Sequence, residues 1–402
     1  MMQNQLILVL NCGSSSFKFS IIDPIKKITY LIGAADNFNT NTVTLYFKKL
    51  QKDKKFIQLK KNLSYKKVIQ FVFEVLCSQY FYYMDHVIGI GHRVVHGGKK
   101  IKSSMLINSC VLKIIQETAI FAPIHNPINL LGIKTSFLLM PHLSGKNVAV
   151  FDTVFHQTMP KSSYLYGIPY YFYDRYALRR YGAHGINHYY VLKKSAFLLK
   201  KIKKNLNIIS CHLGGGSSVT AIVHGESIDT SMGLTPLAGL IMGTRCGDID
   251  PSIILYMSEV LNLKISTIKK ILNEESGVLG INKISSDFRI LENLYTKNKN
   301  VRLSLDMYCY HVAKFIASYT ACMKGRLDAM VFTGGIGENS NLVRKNIIDR
   351  LSLLNLATHK EKNFLMHSGK SGFIHSSNSR PILVIPANEN QIIAEDTLKL
   401  IL

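Results

Sequence analysis

The chain has 402 residues, 47% of them hydrophobic, enough for two cores of ordinary size. Its net charge of +24 comes from 49 Lys and Arg against 25 Asp and Glu, and its seven cysteines lack a C-x-x-C pair or paired Cys/His spacing. A disulfide framework and a structural zinc site are therefore not indicated, and an N-terminal apolar run of only Leu6 to Leu10 is too short for a signal peptide or a membrane span, so a cytoplasmic protein without membrane contact is expected.

The pattern along the chain alternates between strand and helix periods. Strands are predicted near 5–10, 17–22, 28–32 and 43–47, followed by a helix over 64–78 with Val68, Phe71, Val72, Val75 and Leu76 on one face. A strand near 86–91 comes next. Asn126 before Pro127 reads as a helix start running to Leu138, and Val148 to Phe151 as a buried strand that ends at Asp152. The second half repeats the theme with strands at 208–211, 329–332 and 383–386, and helices from Asp250-Pro251, over 302–324 and over 389–402. The domain boundary is expected just after Asp152.

Three apolar strands run into glycine- or serine-rich turns. Leu6 to Leu10 leads into Asn11-Cys12-Gly13-Ser14-Ser15-Ser16, Ile208 to His212 into Gly214-Gly215-Gly216-Ser217-Ser218, and Val331-Phe332-Thr333 into Gly334-Gly335-Ile336-Gly337-Glu338-Asn339. Taken singly, each reads as a plain hairpin. Together they suggest a phosphate-handling cleft, because glycine lets the backbone approach a ligand and leaves N–H groups facing it. Neither G-x-x-x-x-G-K-[ST] nor G-x-G-x-x-G is met, which argues against a P-loop NTPase and a dinucleotide dehydrogenase. Arg93 in Gly91-His92-Arg93-Val94-Val95-His96-Gly97-Gly98 and Arg245 in Met242-Gly243-Thr244-Arg245 each set a planar fork of donors in what reads as a loop, suited to a carboxylate or phosphoryl group. Asp152, and His184 in Tyr181-Gly182-Ala183-His184-Gly185, add an acid and a titratable donor.

The lysines cluster at Lys48, Lys49, Lys52, Lys54, Lys55, Lys60, Lys61, Lys66 and Lys67, and again at Lys193, Lys194, Lys200, Lys201, Lys203 and Lys204. No zinc finger, aromatic RNA-binding sheet or basic zipper accompanies them, so they read as solvated surface with no specific nucleic-acid partner.

Six strings, in order, resemble the acetate kinase family: Leu10 to Ser16, His92 to Gly98, Phe151-Asp152-Thr153, Phe155 to Pro160, Gly243-Thr244-Arg245 and Phe332 to Asn339. The resemblance implies an α/β fold of duplicated actin-like ATPase (ribonuclease H-like) domains flanking an active-site cleft. The first would span 1–152 with the terminal helix 387–402, the second, nucleotide-binding one 153–386. It implies Mg2+-dependent, reversible phosphoryl transfer from ATP to acetate giving acetyl phosphate and ADP, with Mn2+ as an alternative ion, in a homodimer. By position, Asp152, His184 and Arg245 resemble the catalytic residues, and Arg93, Val95, Ile124, Ala183 and Pro236 the acetate-binding ones. Lys18, His212, Leu213, Gly214, Gly215, Gly216, Asp287, Phe288, Arg289, Gly335, Ile336, Gly337, Glu338 and Asn339 resemble the nucleotide contacts, and Asn11 and Glu389 the magnesium-associated pair. Gly215 departs from a usual asparagine, Ile186-Asn187 from a Thr-Ser, Ala238 from a glutamate, and Ala387 and Asn390 alter the segment around Glu389. A carboxylate acceptor is already ionised near neutral pH, so Asp152 is expected to organise Arg93 or the metal shell rather than to move a proton. Two other readings stay open: a kinase for propionate or another short-chain acid, and a weakly active basic binding protein on the same fold.

Overall fold

A computed structural model describes residues 5–13, 16–36, 43–50, 52–59 and 63–402. Ser14, Ser15, Lys60 and Lys61 lie outside the described residues. The chain divides into two compact units, Met1–Val154 with Asn388–Leu402, and Phe155–Ala387.

In the first unit, strands β1 (Leu6–Cys12), β2 (Ser16–Asp23), β3 (Ile28–Asp36), β4 (Val43–Lys49), β5 (Lys54–Leu59), β6 (Val87–Val94), β7 (Met105–Leu106) and β8 (Asn147–Phe151) form one sheet in the order β5-β4-β3-β2-β1-β6-β8-β7. β1 is antiparallel to β2 and parallel to β6, which is parallel to β8. In the second unit, β9 (Ile208–Leu213), β10 (Ser217–Val223), β11 (Glu226–Thr230), β12 (Ala329–Thr333), β13 (Gly372–Phe373) and β14 (Ile382–Val384) are ordered β11-β10-β9-β12-β14-β13. β9 is likewise antiparallel to β10 and parallel to β12, and β12 is parallel to β14. The five-strand core of each unit therefore has the same order and the same directions. That arrangement is the ribonuclease H-like topology of actin-like ATPases, present twice.

Burial on both faces sets the composition of the parallel strands. In β12, Met330 and Phe332 join a core built on the helix Lys299–Met323, while Ala329 and Val331 join one built on Val191, Leu192 and Ala196 of the helix Gly185–Leu198. Each such side chain contributes roughly 1.5–3 kcal/mol by leaving water. In the first unit, Leu6, Leu8 and Leu10 cluster with Val68, Val72 and Leu76 of the helix Tyr65–Gln79. The opposite face at β6 is covered by the terminal helix, Glu389–Ile401. Its contact points are glycines: a Cβ on Gly89 would stand 2.6 Å from Ile401 Cδ1, and one on Gly91 would run into Thr397 Oγ1 and stand 2.6 Å from Ile393 Cγ2.

Several expectations change in the structure. Arg93 lies within β6 rather than in a loop, and Asn11 and Cys12 belong to β1 rather than to a turn. Gly334–Asn339 is a short helix instead of an open glycine turn. The late strand is Ile382–Val384, shorter than expected because Pro386 follows closely. Asn126 does not cap its helix; His125 holds that position. The Asn126 amide instead donates to the His96 and Ile115 carbonyls at 2.9 and 3.1 Å, and its oxygen accepts from His96 N–H at 3.1 Å. Within the lysine clusters Lys54 stays exposed, with its ammonium 4.3 Å from the Tyr46 ring centroid, whereas Lys49 is half-buried, 5.0 Å from that of Tyr80.

Because Gly91 is where the terminal helix meets β6, Gly91→Ala is expected to lower unfolding free energy by about 1–3 kcal/mol, the cost of overpacking a dense contact. Denaturant titration checks this. A stability equal to wild type would mean that the helix can move away without loss.

Candidate active site

The first unit gathers its polar residues at the carboxyl ends of its parallel strands, where open α/β sheets place ligands. Arg93, near the end of β6, donates from Nε to Asp152 Oδ1 at 3.2 Å and from Nη2 to Asp152 Oδ2 at 2.6 Å, a bidentate fork. Nη1 donates to Asn11 Oδ1 at 3.2 Å, and Glu389 Oε2 stands 3.5 Å from Nε. Asp152 directly follows β8 and is fully buried. Glu389 is the first residue of the terminal helix, whose N-cap Asn388 accepts from Gln391 N–H at 3.2 Å. Burial alone would lower the Arg93 guanidinium; the charges of Asp152 and Glu389 outweigh it and raise its pKa. Lys18 lies opposite Asn11 in the β1–β2 register and is exposed. Cross-strand partners share a face, so Lys18 shares that of Asn11.

The backbone around Arg93 is also held. Asn129 accepts from Val95 N–H at 3.2 Å and donates to the Cys12 carbonyl at 2.8 Å, tying the ends of β1 and β6 together. Val95 is buried, whereas Ile124 is 42% exposed and so has no enclosed apolar setting within this unit.

The second unit assembles a different set. Gly334, at φ +79°, rests on the Leu213 backbone, which a Cβ would meet at 2.7 Å, so the end of β12 sits against the end of β9. Gly243 N–H donates to the Gly215 carbonyl at 3.3 Å, which brings the Arg245 loop onto the same turn. A Cβ on Gly216 would lie 3.4 Å from Arg245 Nη1 and 3.6 Å from His184 Nε2. Arg245, His184 and Gly216 are thus neighbours. Arg245 donates to the Pro236 carbonyl at 3.1 Å, and burial lowers its pKa; no carboxylate among the described residues forms an ion pair with it. Ala183 is buried beside His184, and Pro236 is half-buried.

A cavity of about 480 Å³ opens next to this turn. Of the positions expected to contact a nucleotide, Gly214, Gly215, Asp287, Phe288, Arg289, Gly335, Ile336 and Asn339 line it, joined by Ser286, Glu292 and Ser340, which the sequence reading did not single out. Leu213 and Gly337 are buried, and Glu338 accepts from Ala387 N–H at 2.8 Å. Gly215 has nothing within 4 Å of a Cβ, so a side chain has room there. His212 stacks on His184 with ring centroids 4.0 Å apart, and Asn187 Nδ2 lies 2.8 Å from His212 Nδ1.

His184 itself has φ 58°, a left-handed conformation uncommon outside glycine, at the start of the helix Gly185–Leu198. Gly182, at φ +74°, permits the approach: a Cβ there would meet the His156 ring at 2.7 Å. His156 Nε2 donates to the Ala183 carbonyl at 3.1 Å, and its Nδ1 lies 2.8 Å from Ser227 Oγ. His188 Nδ1 lies 2.9 Å from Ser210 Oγ and its Nε2 2.8 Å from Ser218 Oγ, which is 3.0 Å from His184 Nδ1. The sequence reading missed His156, His188, Ser210 and the contact of Ser218 with His184. The spacing of residues 184, 188, 191, 192 and 195 on one helix face was the available signal.

Asn11, Asp152 and Glu389 offer hard oxygen donors of the kind Mg2+ takes, and all three are turned toward Arg93. No group of three His, Cys, Asp or Glu able to hold a metal occurs among the described residues. This donor set fits an ion that arrives already coordinated by nucleotide phosphates and water, and not one caged by protein alone.

Burial keeps three histidines neutral, lowering His92 and His156 to about 4 and His188 well below the ordinary value. The unfolded chain takes up these protons near ~6.5 and the folded chain only at lower pH, so stability is present above that point and lost as pH falls through the folded values. Unfolding free energy is expected to drop between about pH 6.5 and about pH 4, at up to about 1.4 kcal/mol per pH unit for each ring, with melting temperature falling alongside, and His156→Gln to flatten the slope. A flat wild-type profile across that window would mean that the rings are already charged in the native state.

A sequence profile of the Acetokinase family matches residues 6–395. The acetate kinase of Buchnera aphidicola subsp. Cinara cedri is 55% identical across 100% of this chain and 99% of that protein. Among solved structures, a propionate kinase from Francisella tularensis superposes with a TM-score of 0.92 at 42% identity, covering 98% of this chain and 100% of its own. Porphyromonas gingivalis acetate kinase gives 0.90 at 33%, covering 99% and 100%. On these grounds the chain belongs to the acetokinase family, phosphotransferases that use ATP and ADP.

Proposed function

We propose that this protein is an acetate kinase that reversibly transfers the γ-phosphoryl group of ATP to acetate, giving acetyl phosphate and ADP. The observation that carries this reading is Arg245: a guanidinium taken out of water, beside His184 and a glycine turn, with no carboxylate ion-paired to it among the described residues. Such a cation is a binding site for an anion that the protein itself does not supply.

In the forward direction an acetate oxygen attacks the γ-phosphorus, the O–P bond to the β-phosphate breaks, and the charge moves onto ADP. No proton is transferred, because the acceptor is already a carboxylate. The second unit contributes Arg245 and His184 to the equatorial phosphoryl oxygens, and its 480 Å³ cavity holds the nucleotide. That volume lies within the range of small-ligand sites. The first unit contributes Arg93 to the acetate carboxylate, with Asp152 fixing the plane of its fork. Asn11 and Glu389 would hold Mg2+, which would supply charge neutralisation. Lys18 adds an exposed cation on the Asn11 side, and Val95 and Ile124 in the first unit, with Ala183 and Pro236 in the second, correspond by resemblance to the family's methyl-binding positions. The likeness to a propionate kinase favours a second reading, in which the longer acid is also accepted.

Arg93→Ala and Arg245→Ala are each expected to lower turnover by about 10²-fold or more while leaving circular dichroism unchanged. Trapping of acyl phosphate with hydroxylamine across acetate, propionate and butyrate measures this and ranks the substrates. Near wild-type activity in either folded variant would make that arginine structural.

The protein is also proposed to work as a cytoplasmic homodimer. No helix among the described residues is long and apolar enough to cross a membrane. The helix Pro251–Glu259 has no buried residue, yet Ile253, Leu255 and Tyr256 are 41%, 56% and 56% exposed, and Val260, Leu261 and Ile265 continue the patch. A contiguous apolar face of this kind marks an interaction surface. Light scattering is expected to give twice the chain mass, and Leu255→Glu with Tyr256→Glu to shift it toward one; an unshifted mass would place the interface elsewhere.

A further inference from the structure

His188 is fully buried, meets His212 edge-on with ring centroids 6.2 Å apart, and is unused by the reaction described above. Its hydrogen bonds have a direction that can be derived. Ser210 Oγ is buried in β9, on the face that carries Ile208 toward the helix Gly185–Leu198, and its one side-chain partner among the described residues is His188 Nδ1 at 2.9 Å. A serine has one O–H to donate. If Ser210 accepted from His188, its own hydrogen would be buried with no acceptor; if it donates, both groups are satisfied. His188 Nδ1 is therefore bare and Nε2 carries the ring proton.

The rest follows along the chain of contacts. His188 Nε2–H donates to Ser218 Oγ at 2.8 Å, so the Ser218 hydrogen points to the one other side-chain partner of that oxygen among the described residues, His184 Nδ1 at 3.0 Å. His184 then accepts at Nδ1 and carries its proton on Nε2, the nitrogen that lies against Gly216 and beside Arg245. Resting on the reading of His184 as a phosphoryl contact, we infer that Ser210, His188 and Ser218 are positioning residues: they fix His184 as a neutral Nε2–H donor.

The surroundings of His184 agree with a neutral donor. It is stacked on His212, shares Ser218 with His188, and lies close to the Arg245 guanidinium across Gly216. A second positive charge there would be opposed by Arg245, so the required N–H has to come from tautomer selection and not from protonation. The relay makes that selection from within the fold, at every pH where the ring stays neutral.

The tautomers are directly measurable in the full chain labelled with 15N-histidine, by long-range proton–nitrogen correlation at neutral pH, with His184→Asn and His188→Gln providing assignment. Both rings are expected to show a protonated Nε2 and a bare Nδ1. A protonated Nδ1 on either ring, or a doubly protonated His184, overturns the inference. In assays, Ser218→Ala is expected to lower kcat about tenfold, the scale of one oriented hydrogen bond, with KM for ATP little changed. In Ser218→Ala the same spectra are expected to show His184 without its fixed tautomer, with Nδ1 partly protonated. An unchanged His184 tautomer in that variant would make Ser218 structural only. Wild-type turnover in His184→Ala would overturn the phosphoryl role of His184 itself, a result separable from the tautomers, which the spectra read without catalysis.

Discussion

A guanidinium withdrawn from water has to be answered by its surroundings, and the first unit is arranged around one such group. Arg93 is met by the two oxygens of Asp152, by the amide oxygen of Asn11 and, at longer range, by Glu389. These partners come from the ends of β6, β8 and β1 and from the first turn of a helix almost three hundred positions further along the chain. Their convergence depends on the glycines of β6, since Gly91 leaves no room for a side chain between that strand and Ile393 and Thr397. Close packing of a helix on a strand thereby becomes electrostatics at the end of the strand. Replacing the carboxylate of Asp152 would leave the fork without its plane of reference as well as without a counter-charge.

The second unit treats its arginines in two contrasting ways. Arg344 is completely buried and spends its donors on protein oxygens, with Nε on Asn363 Oδ1 at 2.7 Å, Nη1 on the Gly337 and Glu338 carbonyls at 2.9 Å, and Nη2 on the Asn363 and Met366 carbonyls at 2.7 and 2.9 Å. Burial lowers it to about 10, with the Glu292 charge acting the other way, and it stays charged at neutral pH. It fastens the end of the helix Gly334–Asn339, which lines the 480 Å³ cavity proposed for the nucleotide. Arg245 makes one hydrogen bond to a carbonyl and one weak contact to Met242 sulfur. The difference in satisfaction separates a structural cation from one that has capacity left for a ligand.

Much of this was legible in the sequence because glycine and charge interrupt apolar runs at few places. The strand before Asn11, the motif around Arg93, the triple glycine after His212 and the Asn126-Pro127 helix start are all local signals, and each falls at or beside an element end. The helix Gly185–Leu198 left only the spacing of His184, His188, Val191, Leu192 and Ser195 as a signal. Its buried face includes Asn187, His188 and Ser195, which break the apolar period that marks an amphipathic helix. Asn187 and His188 are polar because β9 offers them His212 and Ser210, and such reciprocity exists only in three dimensions. The short helix at Gly334 was hidden for a related reason, since three glycines in six residues have poor helix propensity and only packing on Leu213 overrides it. Lys49 looked like solvated charge until the aromatic ring of Tyr80 was placed beneath it. Glu389 was carried to the site by resemblance alone; its approach to Arg93 is a consequence of the terminal helix crossing back over β6.

Three of the departures from the family pattern, Gly215, Ala387 and Asn187, fall where backbone atoms or a polar side-chain contact carry the structure. Gly215 has lost a side chain, but its carbonyl still accepts from Gly243 N–H, and that bond is what holds the Arg245 loop to the turn. Ala387 likewise acts through its N–H, which donates to Glu338 Oε1 at 2.8 Å whatever the side chain. Asn187 differs in kind: it is fully buried, and its Nδ2 reaches both His212 Nδ1 and Thr333 Oγ1, at 2.8 and 3.1 Å. A polar residue there keeps the imidazole partnered beneath its stack with His184. A substitution that removed this contact would loosen the pair of rings beside the proposed anion site.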